Sequence, residues 1–143
     1  MLFRSLLETV HYGEAIAEFR EALKLQPEFL KAYDNLGVCY DQLQKFDLAI
    51  KNYRQAIELD RKLGTHYPWP YINLASLLNH LRRYGEAVEL LAPVAGWDPQ
   101  ASEAVIRYHL GRARLGLKQY GPAEHGLLRA TAEDLSRLAG KTT

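Results

Sequence analysis

One pattern recurs four times in this chain of 143 residues and constrains the fold more than any single motif. The stretch "YGEAIAEFREALKLQP" at Tyr12–Pro27 returns as "FDLAIKNYRQAIELDR" at Phe46–Arg61. Looser copies follow as "YGEAVELLAPVAGWDP" at Tyr84–Pro99 and "YGPAEHGLLRATAEDL" at Tyr120–Leu135. The alanines three places into each copy, Ala15, Ala49, Ala87 and Ala123, lie 34, 38 and 36 residues apart. A period of this size filled with helical patterning predicts helical hairpins stacked in a row, because one hairpin cannot bury its apolar face alone. The expected fold class is all-α, an α-solenoid of stacked antiparallel helix pairs with about four repeats and eight helices. The whole chain, 1–143, reads as one domain, with units at approximately 1–29, 30–67, 68–103 and 104–139. At 48% apolar residues there is enough hydrophobic material for a sizeable core.

Each unit reads as two amphipathic helices and a short turn. Apolar residues recur at helical spacing in Tyr33, Leu36, Tyr40 and Leu43, and again in Tyr71, Leu74, Leu78 and Leu81. Small residues are expected where two helices approach closely, Gly37 against Ala49, Ala75 against Ala87 and Gly111 against Ala123. A larger side chain there would cost roughly 1–3 kcal/mol. Gly13, Asp47, Gly85 and Gly121-Pro122 are expected to open second helices, and Pro27 and Pro99 to close units. Pro93 lies inside a second helix and should bend it or end it near Gly96. The stretch "LGTHYPWPYIN" at Leu63–Asn73 is a non-repetitive insertion, expected to form a loop with Pro68 or Pro70 in the first turn of the next helix.

These positions resemble the tetratricopeptide repeat (TPR) family. The second unit has Tyr33, Leu36-Gly37, Tyr40, Ala49, Tyr53 and Ala56 at that family's spacing, and the third has Tyr71, Leu74-Ala75, Leu78, Tyr84, Ala87, Leu91, Val94 and Pro99. The fourth matches through Leu110-Gly111, Tyr120, Ala123, Leu127 and Ala130, and the first through Tyr12, Ala15, Phe19, Ala22 and Pro27. The resemblance implies a TPR-like right-handed superhelix and a role in protein interaction. Phe3 stands where the other units have glycine or alanine, so the first unit is read as truncated or packed differently. In the last unit Thr131 and Glu133 replace leucine or isoleucine, as a terminal repeat requires for solubility.

Composition narrows the function. Eighteen basic and 17 acidic residues give a net charge of +1, which argues against a nucleic-acid binder. No apolar run is long enough for a membrane span, and no export signal is visible at the N-terminus. The single Cys39 fits a reducing compartment, and the expected location is cytoplasmic. Five histidines lack metal-ligand spacing, so no metal and no cofactor is expected. Neither a glycine-rich phosphate loop nor a nucleophile elbow occurs, and the chain is not read as an enzyme.

Stacked hairpins of this type line their inner wall with the first helix of each unit. The inward positions are expected to be Lys31, Asp34, Asn35, Val38, Asp41 and Gln42, then Trp69, Ile72, Asn73, Ser76, Asn79 and His80, then Val105, Tyr108, His109, Arg112 and Leu115. Lys31, Asn35, Trp69, Asn73, Tyr108 and Arg112 are the candidate peptide-binding residues. Amides can pair with a ligand's backbone while aromatics take its side chains. Asn35 and Asn73 occupy equivalent places, and the resemblance implies an amide ladder; solvated polar residues on a wet face, or bonding within the scaffold, are the alternatives. Trp69 is either a ligand anchor or a locally packed loop residue. The carboxylate clamp of chaperone-tail binders does not fit: its basic and amide positions fall on Asp34, Val38, Val105 and His109, and only Asn73 agrees. The expected function is a non-catalytic scaffold that binds a peptide or partner surface in the concave groove. The alternative is an assembly module that self-associates through its terminal helices, where Leu127, Leu128, Leu135 and Leu138 remain apolar, or continues a longer repeat array.

Overall fold

The structure, a computed structural model, describes residues 2–97 and 102–120. Six α-helices follow one another: α1 (Leu2–Leu25), α2 (Leu30–Gln42), α3 (Phe46–Leu63), α4 (Trp69–His80), α5 (Tyr84–Leu91) and α6 (Glu103–Tyr120). A single 3-10 turn, Ala92–Val94, continues α5, and the described residues contain no strand. The chain divides into two compact units, the first ending at Leu77 and the second beginning at Leu78, within α4.

Among the described residues six α-helices stand against the eight expected, for two separate reasons. Gly13 opens no second helix; α1 runs through it for 24 residues without a break. Nothing lies within 4 Å of the position a Cβ on Gly13 would take, so no neighbour forces the chain to fold back there. A lone glycine costs a helix only about 1 kcal/mol, which the rest of α1 outweighs. The expected last helix, opened by Gly121-Pro122, falls outside the described residues.

In the first unit α2 and α3 form an antiparallel hairpin. Leu36, Tyr40, Ala49, Tyr53 and Ala56 are all buried at its centre, and each large side chain contributes about 1.5–3 kcal/mol by leaving water. Gly37 is small because the Tyr53 ring stands nearest to it. A Cβ on Gly37 would come within 2.5 Å of Tyr53 Cε1. The Tyr53 hydroxyl then donates to Asp41 Oδ2 at 3.2 Å, which gives the buried ring a polar exit. On the other side of α2, Arg20 of α1 donates to the Tyr40 hydroxyl.

The turns between paired helices have one geometry used twice. Gln44 and Arg82 adopt left-handed backbone angles, φ 59° and 60°. In the first turn Gln44 N–H donates to Asp41 and Lys45 N–H to Tyr40; in the second Arg82 N–H donates to Asn79 and Arg83 N–H to Leu78. These bonds use the last carbonyls of α2 and α4, which the helix itself leaves free. Helices α3 and α5 therefore begin at Phe46 and Tyr84, one residue before the expected Asp47 and Gly85.

The second unit is built on α5 and α6. Leu91, Val94, Ile106, Leu110 and Ala113 are buried. Gly116 receives the Tyr84 ring much as Gly37 receives Tyr53; a Cβ there would lie 2.5 Å from Tyr84 Cδ1. Tyr84 stacks on Tyr120 with centroids 6.1 Å apart, and the Arg82 guanidinium lies 4.3 Å over the Tyr120 ring. The expected contact of Gly111 with Ala123 lies outside the described residues. Helix α5 gives way to the 3-10 turn at Pro93, and Gly96 takes φ +92°, as the proline predicts.

Candidate partner-binding face

The junction between α3 and α4 fixes where α4 begins, and a buried carboxylate fixes the junction. Asp60 sits near the end of α3 at 1% exposure. Its Oδ1 accepts the Tyr67 N–H at 2.8 Å and the Thr65 hydroxyl, and its Oδ2 accepts the Tyr71 hydroxyl at 2.9 Å. Burial first, then the bond to Asp60 and its charge, push the Tyr71 hydroxyl up to about 12. Gly64 at φ +64° and His66 at φ 52° turn the chain between these anchors. Pro70 then falls in the first turn of α4, where a missing N–H costs nothing. The insertion is a loop, as expected; Asp60 as its organiser was not foreseen. The signal was an aspartate four residues before glycine, followed by hydroxyl-bearing residues at Thr65 and Tyr71.

Four of the six expected site residues belong to the first unit. Lys31 and Asn35 are exposed, one turn apart on α2. Trp69 and Asn73 have the same spacing on α4, with Trp69 40% exposed and Asn73 half-buried. The two helices are tied together here, because Asn73 Nδ2 donates to Asp34 Oδ1 at 3.1 Å. Asn73 thus bonds within the scaffold while Asn35 stays on the surface, so the two equivalent asparagines differ in environment. Lys31 Nζ stands 5.5 Å from the centre of the Tyr67 ring, which brings the loop beside α2.

Asp34 was expected on the wet wall and is instead buried, at 4% exposure. Burial pushes its carboxyl up to about 6, and the Asn73 hydrogen bond offsets only part of that rise. Ile72 and Asn79, also expected to line the wall, are buried at 3% each. Their side chains are taken up by packing and, for Asn79, by donation to the His109 carbonyl oxygen at 3.1 Å.

The remaining two expected residues are on α6 in the second unit. Tyr108 is 62% exposed, and the Arg112 guanidinium lies 5.9 Å over its ring. Tyr108 also meets the His109 ring edge-on at 5.2 Å. His109 itself is held below its usual range, first by burial and then by the charge of Arg112. Cys39 is buried, and burial pushes its thiol up, away from the nucleophilic thiolate form. Among the described residues no group of three or more histidine, cysteine, aspartate or glutamate side chains is placed to hold a metal ion. None of their helices is long and apolar enough to cross a membrane.

The described residues form helices paired through short turns, the local geometry of a helical-repeat protein. The chain belongs to the tetratricopeptide repeat family, whose pattern matches residues 28–92. Over 130 residues, 91% of the chain, it is 35% identical to Hsp70-Hsp90 organizing protein 3 of Arabidopsis thaliana, covering 21% of that protein. It is 32% identical over 103 residues, 72% of the chain, to small glutamine-rich tetratricopeptide repeat-containing protein 2 of Mycosarcoma maydis, covering 28% of it. A third similarity, 28% over 116 residues and 81% of the chain, is to BBSome complex member BBS4 of Bos taurus, covering 21% of it. The chain therefore spans between 21% and 28% of the length of these relatives.

Proposed function

We propose that this repeat region is a protein-interaction adaptor without catalytic chemistry of its own, holding a peptide segment or partner surface against the first helices of its units. The observation that carries the reading is the α2–α4 face. There Lys31, Asn35 and Trp69 remain exposed around the Asp34–Asn73 hydrogen bond. A large aromatic left 40% in water at the start of a mostly buried helix is the type of anchor that partners bury. The names of two relatives, which refer to organizing Hsp70 and Hsp90, point the same way. Tyr108 and Arg112 supply a second exposed aromatic and cation on α6.

The test is affinity capture followed by mass spectrometry, comparing the native protein with Asn35→Ala/Trp69→Ala. The expected result is loss of specific partners from the variant while helicity and Tm stay close to native. Equal capture by a folded variant would remove this face from the mechanism. A self-associating assembly module is the second reading. It is favoured by Tyr108 and Leu115, 62% and 55% exposed and seven residues apart on α6. Light scattering over a range of concentrations separates it from the first, since a persistent monomer rules it out.

A further inference from the structure

Asp34 is the least satisfied buried charge in the first unit. Its carboxylate has several acceptor sites, yet among the described residues it receives one side-chain hydrogen bond, from Asn73, and takes part in no ion pair. A carboxylate removed from water ordinarily has a cation or several N–H donors beside it. The nearest cation on its own helix, Lys31 one turn earlier, is not on it; the Lys31 ammonium instead lies over the Tyr67 ring. Asp34 also lies just beneath a wet surface, since Lys31 and Asn35 flank it in exposed positions and Asn73 is only half-buried.

We propose that Asp34 receives a cationic side chain, so that the α2–α4 face selects a peptide segment bearing lysine or arginine. This deepens the adaptor reading above and rests on it. The incoming ammonium or guanidinium would complete the half-filled shell of Asp34 by a charge-assisted bond. Its apolar stem would lie along the Tyr67 and Trp69 rings, displacing Lys31 from the ring face it now covers. Asn35, exposed beside this point, is free to meet the segment's backbone. The charge preference is the reverse of a carboxylate clamp, whose basic and amide positions fall here on Asp34, Val38, Val105 and His109.

The pH range follows from the same groups. With its carboxyl near 6, Asp34 is about nine-tenths ionised at pH 7 and mostly protonated at pH 5. Tyr53 on α3 and Tyr67 in the loop are titratable groups that feel the Asp34 charge, and Lys31 lies one turn before it on α2, over the Tyr67 ring. Burial and Asp34's charge raise the Tyr67 phenol, and burial with nearby acidic groups raises that of Tyr53. Both therefore stay neutral throughout this range.

The experiment uses pools of fluorescein-labelled nonapeptides, random except for a central lysine, norleucine or glutamate, with binding read by anisotropy. The native protein should bind the lysine pool about tenfold more tightly than the norleucine pool at pH 7.5, corresponding to one pK unit of linkage. The glutamate pool should bind weakest. Asp34→Asn, which keeps an acceptor for Asn73, should equalise the lysine and norleucine pools, as should lowering the pH to 5. Equal binding of both pools by the native protein, or a lysine preference that survives in Asp34→Asn, overturns the cation site while leaving the adaptor face standing. No binding of any pool removes both. A second measurement needs no variant. The Asp34 carboxyl, followed by carbon NMR, should titrate lower in n-butylammonium chloride than in sodium chloride at equal ionic strength, and an unchanged midpoint overturns the proposal.

Discussion

Two buried aspartates in the first unit solve the same electrostatic problem in opposite ways. At the α3–α4 junction Asp60 is surrounded by an amide N–H and two hydroxyls, all supplied by the eleven residues that follow it. On the α2–α4 face Asp34 has one amide, supplied from 39 residues away. Both are nearly inaccessible, at 1% and 4% exposure. Burial alone therefore does not separate a structural carboxylate from a candidate binding group; the number of donors around it does. A full shell reads as scaffold, because folding has already offset the desolvation cost. A partial shell leaves part of that cost for a partner to relieve.

The largest effect should come from Asp60. Asp60→Ala leaves the Tyr67 N–H and the Tyr71 and Thr65 hydroxyls without their acceptor, and should cost about 3 kcal/mol. In a thermal melt that is a drop of roughly 6–12 °C for a chain of this size. A near-native Tm would break the contrast, since Asp60 would then be no more structural than Asp34.

Asp34→Asn should act in the other direction and be smaller. The folded-state carboxyl lies near 6, above its ordinary value of 3.8, so the folded protein holds that proton more firmly than the unfolded chain. The stability linked to the proton is present below pH 4 and is lost as pH rises through about 6. Asparagine avoids the loss. The variant should be about 2 kcal/mol more stable than native protein at pH 7 and close to equal at pH 4. Urea denaturation at the two pH values checks this, and a variant equally stable or weaker at pH 7 would mean that Asp34 is already satisfied by the scaffold.

The smallest effect is expected at the second inter-hairpin junction, where Glu103 accepts the Gly96 N–H at 2.7 Å and pairs with Arg107 in water. The Gly96 bond first, then Arg107, hold its carboxyl below the usual range. Glu103→Gln should move Tm by no more than about 1 °C, because exposed pairs contribute little. A shift as large as that of Asp60→Ala would show that donors matter more than burial.

Much of the architecture was legible because it repeats. Apolar residues at helical spacing place α2 to α6, Pro70 lands in the first turn of α4, and Pro93 ends α5. Gly13 misled because glycine permits a break without requiring one, and no neighbour enforces it. The left-handed turns at Gln44 and Arg82 were missed because neither is glycine or asparagine. Neighbouring bonds to the ends of α2 and α4 hold them in a conformation their own side chains disfavour.

The candidate face was less legible than the fold. Periodicity identified which residues share a side of a helix, and Lys31, Asn35 and Trp69 do stand exposed. It did not tell how deep each one lies. Asp34 and Ile72 share that side by count yet are buried, because depth depends on which neighbouring helix leans over each position.

The amino-acid order by itself determined that this chain makes repeated antiparallel helices, since apolar spacing and the turn residues are local properties read within one hairpin. Only the tertiary structure decided that Asp60 would be enclosed by donors and that Asp34 would be left with one. Hydrogen-bond partners 11 and 39 residues away are brought within reach by packing, and a carboxylate's chemistry depends on what finally stands beside it.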